Sequence, residues 1–299
     1  MGDFENPGVT SRTLMRSVAV SDTLGFFHDR FLFTVGLRHQ NILVNNYAYA
    51  TGVQSSAYNE SATTPIFGAV YKIQPNLSVY ANRSESLTQG GTAPSSAANA
   101  GEMLAPYRAK QVEAGIKYDA TNYGAALAVY QIRQPVAYTS SSTNTYETDG
   151  TQRHRGVELS AYGEPVKGVR VMGGVPFVDA RLERTSGGTH DGNHPIGVPA
   201  WTANANVEYD LPRISGLTLM ARAIYTSRQY VDEANTLPVA AWTRFHVGAR
   251  NKTQVLKHDI VFRLMVTNVA NRAYWSSALG GYLTEGAPRT AWLSLTTDF

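Results

Sequence analysis

At 299 residues, 43% of them apolar and only 16% charged, the chain is long enough for one large domain and too apolar to be disordered. A net charge of +3, scattered and with no basic run interleaved with stacking aromatics, excludes a nucleic-acid partner. The lack of cysteine excludes a disulfide framework, a thiolate metal site and a cysteine nucleophile.

No stretch approaches the roughly 18 unbroken apolar residues of a membrane helix, so any membrane segment must be a strand. A mean hydropathy of -0.24 does not count against that, because a barrel hides a polar lumen and polar loops behind a lipid-facing band that uses every second residue. The 26 glycines, 17 tyrosines and 10 phenylalanines favour strands with aromatic belts over helices. Met1 to Pro7 is polar and lacks the basic and apolar regions of a secretory signal. An exported protein is therefore expected to have lost that signal or to encode it upstream.

The first clear alternation sets Phe31, Phe33, Val35 and Leu37 against Thr34, Gly36, Arg38 and Gln40. Val112, Ala114, Ile116 and Tyr118 alternate in the same way with Gln111, Glu113, Gly115 and Lys117. The pattern returns in Leu217 to Tyr225, in Phe245 to Arg250, and in a last run that places Ala291, Leu293, Leu295, Thr297 and terminal Phe299 on one face. All such runs together predict an all-β chain of about thirteen antiparallel strands. Tight turns are expected at 27–30, 74–76, 119–122, 163–167, 210–215 and 251–255, all rich in Asn, Asp, Pro or Gly. Long loops are expected at 45–63, 84–108, 138–150, 185–199, 230–238 and 269–287. Short turns on one rim and long loops on the other predict a transmembrane β-barrel with its turns in the periplasm.

Several segments resemble TonB-dependent siderophore receptors of the ferrichrome and hydroxamate type, over nearly the whole chain. Leu104-Ala-Pro-Tyr-Arg-Ala-Lys-Gln-Val-Glu-Ala-Gly-Ile-Lys117 is similar to the family's strand-opening segment, with Tyr107 where Glu is usual. His154-Arg-Gly-Val-Glu-Leu-Ser-Ala-Tyr-Gly163 carries an Arg-Gly-Val-Glu core, and Asp179-Ala-Arg-Leu182 resembles the end of the next strand. Val175-Pro-Phe177 departs from the family's Gly-Tyr-x-Tyr, and Pro176 predicts a bulge or poor pairing there. Asn193-His-Pro-Ile-Gly-Val-Pro-Ala-Trp201 resembles a later strand entry. The most specific part is the tail: Asn268-Val-Ala-Asn-Arg-Ala-Tyr274, then Gly286-Ala-Pro-Arg-Thr290 and Phe299.

The resemblance implies the last thirteen or so strands of a barrel of about 22, with a plug domain, a TonB box and a signal peptide belonging to the rest of the receptor. It also implies an outer-membrane transporter for ferric siderophores in a Gram-negative cell, with the TonB complex and the lipid bilayer as partners and no protein-bound cofactor. Tyr47, Tyr49, Tyr58, Tyr138, Trp275 and Tyr282 are the expected substrate contacts, since aromatics stack on and hydrogen-bond to bulky chelates. An interfacial aromatic girdle would use the same residue types. His190, Asp191 and His194 are read as a solvated loop and not as a metal site. Arg38, Glu113, Lys117, Glu158, Arg222 and Arg263 are read as an inner-wall salt-bridge network or a plug-facing surface.

No nucleophile elbow, Walker loop, dinucleotide fingerprint or zinc helix occurs, so no enzyme is predicted. Three other readings stand at this point. A passive porin-like pore would lack the tail motif, a barrel-embedded hydrolase would lose its activity with one serine, and a truncated remnant would not transport at all.

Overall fold

The computed structural model describes residues 7–255, 258–279 and 282–297, so Phe299 and the segment from Met1 lie outside the described residues. The chain runs through β1 (Ser11–Phe26), β2 (Phe31–Tyr47), β3 (Gln54–Gln74), β4 (Leu77–Thr88), β5 (Tyr107–Asp119) and β6 (Tyr123–Thr139). It continues with β7 (Tyr146–Val166), β8 (Val169–Arg184), β9 (Thr202–Asp210), β10 (Leu217–Thr226), β11 (Gln229–Tyr230) and β12 (Pro238–Val239). The last elements are β13 (Trp242–Val255), β14 (His258–Thr267), β15 (Trp275–Leu279), β16 (Tyr282–Glu285) and β17 (Thr290–Thr297).

Thirteen of these strands form one antiparallel sheet in the order β1 to β10, β13, β14, β17, and the other four make two small hairpins within the loops. Every sheet neighbour is also the next sheet strand in the chain, as short alternating connections require. Among the described residues β1 pairs only with β2, and β17 only with β14, so the sheet is an open arc of barrel wall.

The register puts one apolar face outside. Phe33, Ala69, Ala81, Ala114, Val129, Val157 and Phe177 stand in a single cross-strand row from β2 to β8. Phe245, Val247 and Ala249 face out further round, opposite Ala223, Ala221 and Leu219. On the inner face, tyrosines lie over glycines directly opposite them: Tyr80 over Gly115, Tyr130 over Gly156 and Tyr162 over Gly124. A Cβ at any of the three glycines would collide with the facing ring, so the missing side chain makes room for the phenol.

Several sequence expectations shift. The segment 45–63 is mostly strand: β2 continues to Tyr47 and β3 begins at Gln54, with Asn46 opposite Ser56 and Asn45 opposite Ala57. The Asn, Ser and Thr that suggested a loop are ladder residues of the wall. For the same reason the 138–150 loop shrinks to 140–145. The turn expected at 163–167 falls at Lys167 and Gly168, where Gly168 takes φ 82°. Residues 251–255 are strand, not turn, because Asn251 and Lys252 pair with Phe262 and Val261 of β14.

Pro176 stays in register opposite Glu158, without a bulge against β7. Its missing N–H faces β9, as does the Val178 amide that donates to Ala200 two residues on. There the β9 ladder stops at Gly174 and resumes only at the Phe177 to Trp201 bridge. The predicted weak pairing thus falls on that side.

Candidate ligand-binding site on the inner rim

The loops at the long rim fold over the inner face and are held there by specific hydrogen bonds. Under loop 89–106, Ile42, Val44 and Tyr58 form a buried cluster with Leu87 and Met103 against it. Tyr58 is 3% exposed, and its hydroxyl accepts the Gly90 N–H at 3.2 Å. The Tyr107 hydroxyl accepts the Gly91 N–H at 2.8 Å. Asn99 donates to Tyr146 O at 2.9 Å and accepts the Tyr146 N–H at 2.8 Å, while Asn144 donates to Ser96 O at 3.0 Å. This loop is therefore clamped to the 140–145 turn.

The loop between β14 and β17 is stapled at both ends by the tail motif. Asn268, 1% exposed, donates to Arg272 O at 2.9 Å and Ala287 O at 3.0 Å, and it accepts the Arg272 N–H at 3.0 Å. Asn271 accepts the Arg289 N–H at 2.9 Å. Both asparagines take positive φ, 48° and 49°, which a short polar side chain tolerates by bonding locally.

The staple presents Tyr274 to the wall. Its ring lies 4.5 Å from Trp242, and its hydroxyl accepts a 2.7 Å bond from Arg244 Nη1. The Arg244 guanidinium lies 5.4 Å over Trp242 and 5.8 Å over Tyr274. Trp242, Arg244 and His246 alternate along β13 and face the lumen together. Trp242 Nε1, Arg244 Nε and His246 Nε2 are all buried without a hydrogen-bond partner. Three such orphans on one strand face are costly unless a ligand or another part of the receptor hydrogen-bonds to them. A cavity of about 280 Å³ is lined by Ala241, Arg272, Tyr274, Trp275 and Glu285.

A neighbouring patch sits between loop 189–201 and the β11–β12 hairpin. His194 stacks on Tyr230 at 5.9 Å and 17°, with Arg228 5.5 Å over the same ring. Asn235 binds His194 through both of its backbone groups. Burial, and then the positive charge of Arg181, push the His194 imidazole below its ordinary value. The Thr236 hydroxyl, aided by the Leu237 and Thr236 amides, holds the Asp232 carboxyl below the usual carboxylate range.

The sequence-derived aromatics fall on this rim but in three places. Tyr47, exposed Tyr49 and buried Tyr58 belong to β2, β3 and their connection. Tyr138 bonds Asp149 at 3.4 Å beside the 140–145 turn, and Trp275 and Tyr282 stand on the β15–β16 hairpin, Tyr282 fully in the open. Of the loop polar residues, Asp191 is taken up by Thr185, accepting from its amide and its hydroxyl. The six lumen charges do lie on the inner wall, yet no ion pair joins them to one another among the described residues. Glu113 is held by Tyr80 and Gln111, and Arg38 by Ser17. The inner-wall ion pairs are elsewhere: Arg170 bridges Asp210 at 2.6 Å and Glu208 at 3.1 Å, and Arg250 reaches Glu208 at 3.3 Å. Trp242, Arg244 and Tyr274 were missed, although carrying the alternation of Phe245 to Arg250 two residues back would have put Arg244 and Trp242 on the wet face.

An antiparallel wall with an apolar outer face, tight turns on one rim and stapled loops over an aromatic and cationic inner face defines part of an outer-membrane β-barrel. The chain belongs to the TonB-dependent receptor β-barrel family, since the family described as TonB dependent receptor-like, beta-barrel, matches residues 3–269. That family consists of receptors and not enzymes, in the Gram-negative outer membrane. The chain is 34% identical to the ferrichrome receptor FcuA of Yersinia enterocolitica, over 99% of this chain and 40% of that one. It is 26% identical to the ferrioxamine B receptor of Salmonella typhimurium, over 88% of this chain and 38% of that one. The crystal structure of BauA, the ferric preacinetobactin receptor of Acinetobacter baumannii, superposes with a TM-score of 0.83 at 37% identity, over 97% of this chain and 43% of that one. The chain thus spans about two fifths of the length of these relatives.

Proposed function

We propose that the receptor to which this chain belongs takes up ferric siderophores, with hydroxamates such as ferrichrome as the first candidates, and that the chain is the C-terminal part of its barrel. The observation that carries this reading is the lumenal group of Trp242, Arg244, His246 and Tyr274, with three buried nitrogens that have no hydrogen-bond partner. A ferric hydroxamate offers carbonyl and oxyanion acceptors around an apolar shell, which matches an aromatic clamp with a cation at its centre. The chelator fills the metal's coordination sphere, so the protein has no need of metal ligands. Tyr47, Tyr49, Tyr138, Trp275 and Tyr282 add contacts as the loops close, while Tyr58 fixes loop 89–106 from beneath.

The remaining strands of a barrel of about 22 close the open edges at β1 and β17, which in lipid would cost several kcal/mol per unpaired group. A plug fills the lumen, and the TonB complex pulls on it to release the chelate inward, since the outer membrane has no ATP supply. The test is uptake of radiolabelled iron, as ferrichrome, by a receptor-deficient strain expressing the full-length protein. Uptake is expected with TonB present and absent in its deletion. No uptake from a panel of hydroxamate, catecholate and carboxylate chelates would reject the reading.

A further inference from the structure

The outer face of β1 carries a carboxylate inside an apolar stretch. Phe33 of β2 faces outward, and the register sets Leu24 opposite Phe33, Asp22 opposite Val35 and Val20 opposite Leu37. Asp22 therefore points to the same side as Val18, Val20, Leu24 and Phe26. Phe26 and Phe31, with ring centroids 6.0 Å apart, close that face at the turn. Asp22 stands four residues from Phe26, roughly 13 Å along the strand, and the next charge on this face, Arg16, lies six residues further on. The carboxylate thus sits within the lipid-facing band, where ionised side chains are rare and are kept with a partner.

Nothing on the β2 side supplies that partner. The same face shows Phe33, Val35 and Leu37 on β2 and Ala69, Phe67 and Pro65 on β3, and no ion pair to Asp22 occurs among the described residues. Its carboxylate accepts the Thr23 N–H at 2.8 Å. The ladder shows where that amide points. The Tyr47 amide donates to Thr10 O at 2.9 Å, so Thr10 and Tyr47 are a hydrogen-bonded pair, and such pairs recur at every second residue of an antiparallel ladder. The register runs unbroken from there to Phe26, so the even residues of β1 bond to β2 and the odd ones turn their N–H and C=O to the free edge. Asp22 therefore bends over the open edge and holds the Thr23 amide, which a further strand would claim.

We infer that the strand lying against this edge in the complete receptor places an arginine or lysine directly opposite Asp22, on the lipid-facing side. The inference rests on the proposal that further strands close the barrel. A carbonyl of that strand takes over the Thr23 amide, so the carboxylate loses its present donor. Asp22 and the residue facing it then form a non-hydrogen-bonded pair, in which Cα atoms approach to about 4.5 Å and side chains lie closest. A charge-assisted bond across that gap compensates a carboxylate otherwise surrounded by Val18, Val20, Leu24 and lipid. The pair also fixes register, because a slip of one residue would turn the cation into the lumen and leave Asp22 alone in the bilayer.

The test is urea unfolding of the full-length receptor, followed by heat-modifiable mobility, in wild type and Asp22→Leu. Leucine would relieve a carboxylate that faces bare lipid, and the midpoint would rise. Where a cation holds the carboxylate, leucine leaves that cation unpaired, and the midpoint is expected to fall by about 0.5 M or more. Replacing the facing arginine or lysine by leucine should lower it likewise, and the double leucine variant should recover most of the loss. The chain has no cysteine, so Asp22→Cys, combined with single cysteines scanned along the adjoining strand, locates the facing residue by disulfide formation even where a leucine variant does not fold. The strongest crosslink is expected at an arginine or lysine position. An unchanged or raised midpoint in Asp22→Leu, or crosslinking to a position of any other residue type or to none, would overturn the assignment. Ferrichrome uptake by the same cells reports the receptor reading separately, since it depends on the lumenal site and not on this pair.

Discussion

Tyr130 of β6 and Gly156 of β7 stand directly opposite each other on the inner wall, and the phenol occupies the space that a side chain at 156 would need. The same relation joins Tyr80 to Gly115 and Tyr162 to Gly124, so aromatic bulk on one strand is matched by its absence on the next. Gly156→Val in the full-length receptor is expected to destabilise the barrel by about 1–3 kcal/mol, the usual cost of overpacking. Tyr130→Ala should recover much of that loss. Urea unfolding followed by heat-modifiable mobility measures both, and additive effects of the two changes would contradict direct contact.

Tyr58 holds loop 89–106 by one hydrogen bond and by packing. Tyr58→Phe keeps the ring against Ile42 and Val44 and orphans the Gly90 N–H, which should cost about 0.5–1.5 kcal/mol. Hydrogen exchange is expected to rise at Gly90 and Gly91 and to stay unchanged in β9 and β10. Uniform exchange across the barrel would point away from a local latch.

Asn268 makes three bonds that close the β14–β17 loop and bring Tyr274 to Arg244. Asn268→Ala should therefore cost about 2–3 kcal/mol locally and loosen Tyr274 without touching a ligand. Limited proteolysis within 269–287 should become faster, and ferrichrome affinity should fall. Unchanged affinity with a cleaved loop would separate Tyr274 from the binding site.

The His194 stack carries a pH dependence whose sign follows from its lowered imidazole value. An opened loop takes up the proton at about pH 6.5, whereas the packed one resists it, with Arg181 and Arg228 adding repulsion and Asp179 opposing them. Packing of 193–201 is therefore complete above pH 6.5 and weakens as pH falls below it. Asp232, also in the rim, is lowered too, which for a carboxyl favours the charged form, so it stays ionised throughout that range. Hydrogen exchange of 193–201 should be faster at pH 5.5 than at pH 7.5, and His194→Gln should remove the difference.

The strands were legible because period-two alternation is a direct imprint of a wall with one greasy and one wet side, as at Phe31 to Leu37. Their upper ends were not, since Asn45, Asn46, Ser55 and Ser56 have loop chemistry and only the ladder makes them strand. The tail motif was visible as a resemblance, but its work, the paired staples of Asn268 and Asn271, needs the fold. Lys110, Arg133, Arg153 and Arg181 lie about twenty to thirty residues apart in sequence and looked merely scattered, and register alone turns them into a row. Arg244 and Tyr274, thirty residues apart, meet because the Asn268 staple brings the loop to the wall.

The most direct test of the receptor assignment is an equilibrium titration of the purified full-length protein with ferrichrome, followed by quenching of tryptophan fluorescence, in wild type and Arg244→Ala. Saturable binding by wild type, weakened about tenfold or more in the variant with folded mobility retained, is the predicted result. Equal binding by both proteins would remove the lumenal cluster from the site, and no binding of ferrichrome or of any other ferric siderophore would contradict the account at its centre.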